Sequence, residues 1–85
     1  MKVWKPTDEE IDQTKDWGTW GKEASTFPWY YDEAETCYII EGEAIAKSSD
    51  GKEIHFGSGD MVQFEQGIEC TWKILKDIKK RYRFG

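Results

Sequence analysis

The 85-residue sequence holds a single histidine, His55, and only two cysteines, Cys37 and Cys70. One imidazole cannot build the multi-histidine cage on which many metal sites depend. Two thiols are too few to staple a secreted fold, and their wide separation excludes the C-x-x-C spacing of zinc and redox sites. No apolar run approaches the ~20 residues that a membrane-spanning helix needs. The stretch Met1-Lys2-Val3-Trp4-Lys5-Pro6 lacks the apolar character of a secretory leader, so a cytoplasmic location is the expectation. A net charge of −5 repels nucleic acid and anionic membrane surfaces, and neither is expected as a partner. Internal repeats, low-complexity stretches and linkers are all missing. The length suits one domain over residues 1–85.

Aromatic residues are what the chain has in excess: five Trp, four Tyr and four Phe. A chain this short buries only about 60–65% of its unfolded surface, so large side chains make an efficient core. The same rings can also line a ligand pocket. Thr7-Asp8-Glu9-Glu10 has the form of a capping box and predicts a short helical turn to about Gln13.

From Trp17 the hydrophobic period becomes two, with Glu23, Ser25, Phe27, Trp29 and Tyr31 on one face. Strands are predicted over residues 35–40, 43–47, 52–56, 61–64, 69–75 and 78–84. Glu41-Gly42 and Asp77 act as breaks between them. Ser49-Asp50-Gly51 predicts a type I′ hairpin turn, because Asp-Gly tolerates positive φ. Short strands with turn signals at about eight-to-twelve-residue spacing predict an all-β sandwich or barrel over residues 17–84.

Two blocks then carry a family resemblance. Glu35 and Gly42 have the E-x6-G spacing that ends the first cupin motif. Gly59, Gly67 and Cys70 fall on the second motif, with Cys70 at its histidine position, Glu65 at its proline and Ile74 at its final asparagine. The stretches Phe27-Pro28-Trp29-Tyr30-Tyr31, Glu35 to Gly42, Gly57 to Asp60, Gly67 to Trp72 and Lys79 to Phe84 resemble small single-domain cupins. Among these, the chain is most similar to the cupin domain of (S)-ureidoglycine aminohydrolases. The resemblance implies a cupin-type jelly-roll β-barrel, a fold that hosts many chemistries.

By that resemblance, the usual metal ligands map to Trp29, Tyr31, Glu35 and Cys70, of which only Glu35 keeps a typical ligand type. No metal or cofactor is therefore expected. Strand alternation adds Cys37 beside Glu35 and Trp72 beside Cys70. The expected pocket is thus Trp29, Tyr31, Glu35, Cys37, Cys70 and Trp72, extended by Phe27 and Tyr82. Glu35 and Cys70 are the candidate catalytic groups; the other four are candidate ligand contacts. A carboxylate facing an apolar interior is costly to keep charged unless paired. Glu35 can therefore serve as a general acid or base, or simply accept hydrogen bonds from Tyr or Trp. Both thiols read first as small buried hydrophobes; a soft-metal site from Glu35, Cys37 and Cys70 lacks signature spacing, and a Cys37–Cys70 disulfide is disfavoured in a reducing cytoplasm. His55 is expected at the surface. Lys79, Lys80, Arg81 and Arg83 form a basic cluster expected to be solvated; alternation puts Lys79, Arg81 and Arg83 on one strand face, with Tyr82 and Phe84 on the other.

Three functions compete at this level. One is metal-free binding of a small polar organic molecule. Another is an enzyme of the ureidoglycine-aminohydrolase type using Glu35 or Cys70. The third is a structural or protein-interaction scaffold. Cys37-Tyr38-Ile39-Ile40 is apolar on both faces, which predicts a cover on the outside. Either the N-terminal segment with Val3 and Trp4 supplies it, or the partner copy of a homodimer does.

Overall fold

The computed structural model describes residues 1–85. It contains one six-residue helix, α1 (Asp8–Gln13), and seven strands. These are β1 (Lys2–Trp4), β2 (Gly18–Lys22), β3 (Ser25–Tyr30), β4 (Glu35–Ser48), β5 (Glu53–Gly57), β6 (Met61–Phe64) and β7 (Glu69–Phe84). Thr7 caps α1 as its sequence predicts: the Glu10 amide donates to the Thr7 hydroxyl at 3.2 Å and the Thr7 amide donates to Glu10 at 3.0 Å. No helix is long and apolar enough to cross a membrane.

The fold is an all-β jelly roll organised by two long strands, β4 and β7, which pair antiparallel along most of their lengths. The first half of β4 pairs with β6, which in turn pairs with β1. Its second half pairs with β5. The first half of β7 pairs with β3 and its second half with β2. The two long strands therefore belong to both sheets of a sandwich. The hydrogen-bonded path runs from β1 to β2 and does not close on itself.

Two expected breaks turn out to be irregularities within continuous strands. The register between β4 and β7 shifts three times between Ile39 and Ala44, opposite Asp77, so each chain bends without stopping. Gly42 makes this bend possible. Its φ is +101°, and a Cβ there would lie 2.4 Å from the Asp77 carbonyl oxygen. The sheet also takes in residues before 17, because β1 pairs with β6 as an edge strand.

The β4–β5 turn differs from the predicted type I′. Only Gly51 has positive φ, and Asp50 does not. The Gly51 amide donates to Ser48 and the Ser48 amide donates to the Lys52 carbonyl. This is a three-residue loop closed by a left-handed glycine, which Asp-Gly serves as readily as the two-residue form.

Inward-facing residues of both sheets meet in one core, with Phe56 packed edge-on against Phe64 and Trp72 at 6.4 and 5.1 Å. On the outer face of β4, part of the required cover comes from the segment following α1. Arg81 donates to the fully buried Thr14 at 3.0 Å and lies over the Tyr38 ring. Tyr38 and Ile40 stay half-buried.

Candidate cavity and its buried ion pair

The jelly roll holds a partly open cavity of about 200 Å³. Its walls are Trp20 from β2, Phe27 and Trp29 from β3, Tyr31, Trp72, Tyr82 and Phe84. Seven of its nine lining residues are hydrophobic; the two polar ones are Glu35 and Lys80. Trp29 and Phe84 are about half exposed, so they form the rim rather than the floor.

Alternation along β7 explains the lining. Cys70, Trp72, Ile74, Ile78 and Lys80 are all buried, and Tyr82 continues their parity. Gly18 on β2 lies opposite Tyr82 in the register. A Cβ at Gly18 would sit 2.8 Å from the Tyr82 ring, so the absent side chain is what admits that ring.

At the floor, Lys80 Nζ donates to Glu35 Oε2 at 2.7 Å and to Cys37 Sγ at 3.4 Å. Cys37 Sγ donates to the same carboxylate oxygen at 2.8 Å. The Lys80 ammonium also lies 4.9 Å from the Trp20 ring centre and 5.0 Å from that of Trp72, within cation–π range. Glu35 and Lys80 are 4% and 7% exposed, an ion pair taken out of water.

Both bonds to Glu35 land on Oε2. No buried side-chain nitrogen or oxygen is left without a partner, so Glu35 Oε1 is not sealed in and opens toward the cavity. The ammonium likewise has three N–H donors, of which two are engaged. Above the pair, the Trp72 indole donates to the Tyr31 hydroxyl at 3.1 Å. The Tyr31 ring stacks on Phe64 at 4.5 Å. Burial above all, and then the nearby Glu35 carboxylate, pushes the Tyr31 phenol far above its ordinary range. It keeps its proton and remains a donor.

The expected residues are therefore distributed unevenly. Trp29, Tyr31, Glu35 and Trp72 line the cavity, as do Phe27 and Tyr82. Cys37 sits beside the floor, fully buried, and desolvation drives its thiol pKa upward. Cys70 is buried outside the lining, and burial pushes its thiol up to about 11. The two cysteines are free thiols. His55 lies at the surface, bonded to Glu43 at 2.6 Å.

Lys80 corrects the expected basic face. Lys79 and Arg83 do point outward, whereas Lys80 turns in and pairs with Glu35. The carboxylate's main partner is an ammonium, not a Tyr or Trp. The available signal was parity: Lys80 shares its strand face with Tyr82 and Phe84. Trp20 was a second omission, marked by its place between Gly18 and Gly21 in a short alternating stretch.

The four positions to which the resemblance assigns metal ligands do not gather a ligand set here: Trp29 offers no lone pair, Glu35 already bonds Lys80, and Cys70 lies outside the cavity lining. No group of three or more His, Cys, Asp and Glu gathers elsewhere in the fold. A fixed positive charge stands beside Glu35 in the form of the lysine.

Comparison with known proteins places this architecture. A DUF861 family protein from Thermotoga maritima superimposes with a TM-score of 0.96 at 42% identity, over 99% of this chain and 98% of that one. The EutQ protein of Clostridium difficile matches with a TM-score of 0.72 at 21% identity, over 79% of this chain and 52% of its own. A putative ethanolamine utilization protein Q from Salmonella typhimurium gives 0.72 at 17% identity, over 96% and 66%. At those identities the last two speak to fold alone. No curated protein matches the chain. The model of the EutQ-like cupin domain matches residues 9–82, nearly the whole jelly roll, and the chain belongs to that family of small cupins.

Proposed function

We propose that this cupin binds a small polar organic molecule in the Glu35–Lys80 cavity without recruiting a metal. The observation that carries the reading is the pairing of an aromatic wall with a buried ion pair that lines the cavity and leaves Glu35 Oε1 open to it. A core built only for stability is usually as stable, or more so, with apolar residues in place of such a pair. Aromatic walls with a few convergent polar groups are the general form of a small-molecule site. The cavity, about 200 Å³, has room for one compact ligand.

Trp20, Trp29 and Trp72 make binding visible as a change in tryptophan emission. Titration with a panel of small metabolites is expected to give at least one saturable change, weakened by Trp29→Ala, which removes only a rim contact. A panel without any saturable change would support the scaffold reading instead. The finer activity implied by resemblance to ureidoglycine aminohydrolases would run on Glu35, whose Oε1 is open, rather than on Cys70. Ammonia release that disappears in Glu35→Gln would establish it. The half-buried Tyr38 and Ile40 also support a homodimer that completes the outer cover of β4.

A further inference from the structure

We infer that the ligand of this cavity is a neutral planar molecule presenting an N–H donor and a carbonyl acceptor side by side, as a primary amide or lactam does. The inference rests on the binding reading above and adds the chemical class.

The argument is one of charge and valence at the floor. Glu35 contributes one negative charge and Lys80 one positive, so the floor is already neutral. The other lining groups are seven hydrophobic side chains, including the Tyr31 phenol, which stays protonated. A carboxylate ligand would compete with Glu35 for the ammonium and leave an excess negative charge in a low-dielectric space. An ammonium ligand would do the reverse beside Lys80. A neutral molecule leaves the pair intact.

The open valences are of opposite kinds. Glu35 Oε1 can only accept, and the third Lys80 N–H can only donate. Glu35 and Lys80 meet at 2.7 Å, so the two valences lie next to one another. An amide edge satisfies both at once, whereas a ketone reaches only the donor. Trp20, Phe27 and Trp72 pack against one another with ring centres 6.0–6.3 Å apart and line the cavity beside the pair with aromatic surface.

Four isosteric probes separate the possibilities: benzamide, benzoate, benzamidine and acetophenone. Titration calorimetry on the intact protein is expected to rank benzamide tightest. Benzoate and benzamidine should be weaker by about tenfold or more, and acetophenone by several-fold. Glu35→Gln makes the floor net positive and should reverse the order of benzamide and benzoate. Benzoate or benzamidine matching benzamide in the unaltered protein would overturn the inference, whether or not the variant folds. So would silence from all four probes. If the metabolite panel still gives a saturable change in that case, the cavity binds ligands and only the amide class fails. If the panel is also silent, the binding reading fails with it.

Discussion

Lys80 is the residue on which the chemistry of the cavity turns. Removing it leaves the Glu35 carboxylate buried with only the Cys37 thiol as partner. Breaking one side of a buried pair typically costs about 3–5 kcal/mol, whereas replacing both partners by apolar residues is often neutral or stabilising. Lys80→Met should therefore lower the urea midpoint sharply, and adding Glu35→Leu should recover most of the loss. A double variant no more stable than the single one would mean that the pair is not the source of the effect. The thiols give a second prediction. Cys70 is raised from its ordinary value near 9 up to about 11, and Cys37 is raised as well, so the native state holds protons that the unfolded chain releases. The unfolded state then binds fewer protons above pH 9, and stability falls as pH rises through the window from about 9 to 11. At pH 8 neither thiol should react with a disulfide reagent in the folded protein, while both should react in urea. Fast labelling of the native protein would contradict the burial of these groups.

At the level of single elements, much of the fold is legible in the sequence, and the exceptions share one cause. Thr7 and Glu10 announce the helix, and alternation along 69–75 and 78–84 places Trp72 and Tyr82 inward as found. Gly42 and Asp77 read as strand ends, because a glycine and a break signal are local cues. Whether a chain stops or only bends there depends on the partner strand, and β4 and β7 hold each other through the bulges. Lys80 was misplaced for a related reason. Its charge groups it with Lys79 and Arg81, but its strand parity groups it with Tyr82, and burial follows parity once Glu35 is within reach to pair with it. Gly42 also yields a prediction. Alanine there meets both the strain of positive φ and backbone atoms of Lys76, Asp77 and Ile78 within 3 Å. Gly51 has φ near +90° with nothing nearby. Gly51→Ala should cost about 1 kcal/mol, the dihedral alone, and Gly42→Ala clearly more than about 2 kcal/mol. Equal losses in chemical denaturation would show that the close approach at Gly42 is not rigid.

For the whole molecule, the sharing of β4 and β7 by both sheets has the widest consequence. Neither sheet can be removed without stripping the other of two central strands, so the sandwich has no half that is stable alone. The cavity lies between these sheets, and its walls come from β2, β3 and β7 with Glu35 at the start of β4. Loss of either sheet would therefore dissolve the site together with the core. Pairing residues 35–48 with 69–84 also makes closure of the fold a long-range event, which slows folding toward the millisecond-to-second range of β-sandwiches. Equilibrium unfolding should accordingly be one transition. Tryptophan emission, to which the cavity residues Trp20, Trp29 and Trp72 contribute, and far-ultraviolet circular dichroism, which reports the strands, should superimpose across the urea range. Emission changing well before the dichroism would mean that the cavity opens independently and that the shared strands do not couple it to the rest. Protein concentration supplies the other variable. If a second copy covers Tyr38 and Ile40, dissociation accompanies unfolding, and the common midpoint should rise with concentration from the micromolar range upward. A midpoint fixed over a hundredfold range of concentration, together with a monomeric mass by light scattering, would leave the segment around Thr14 as the only cover of that face.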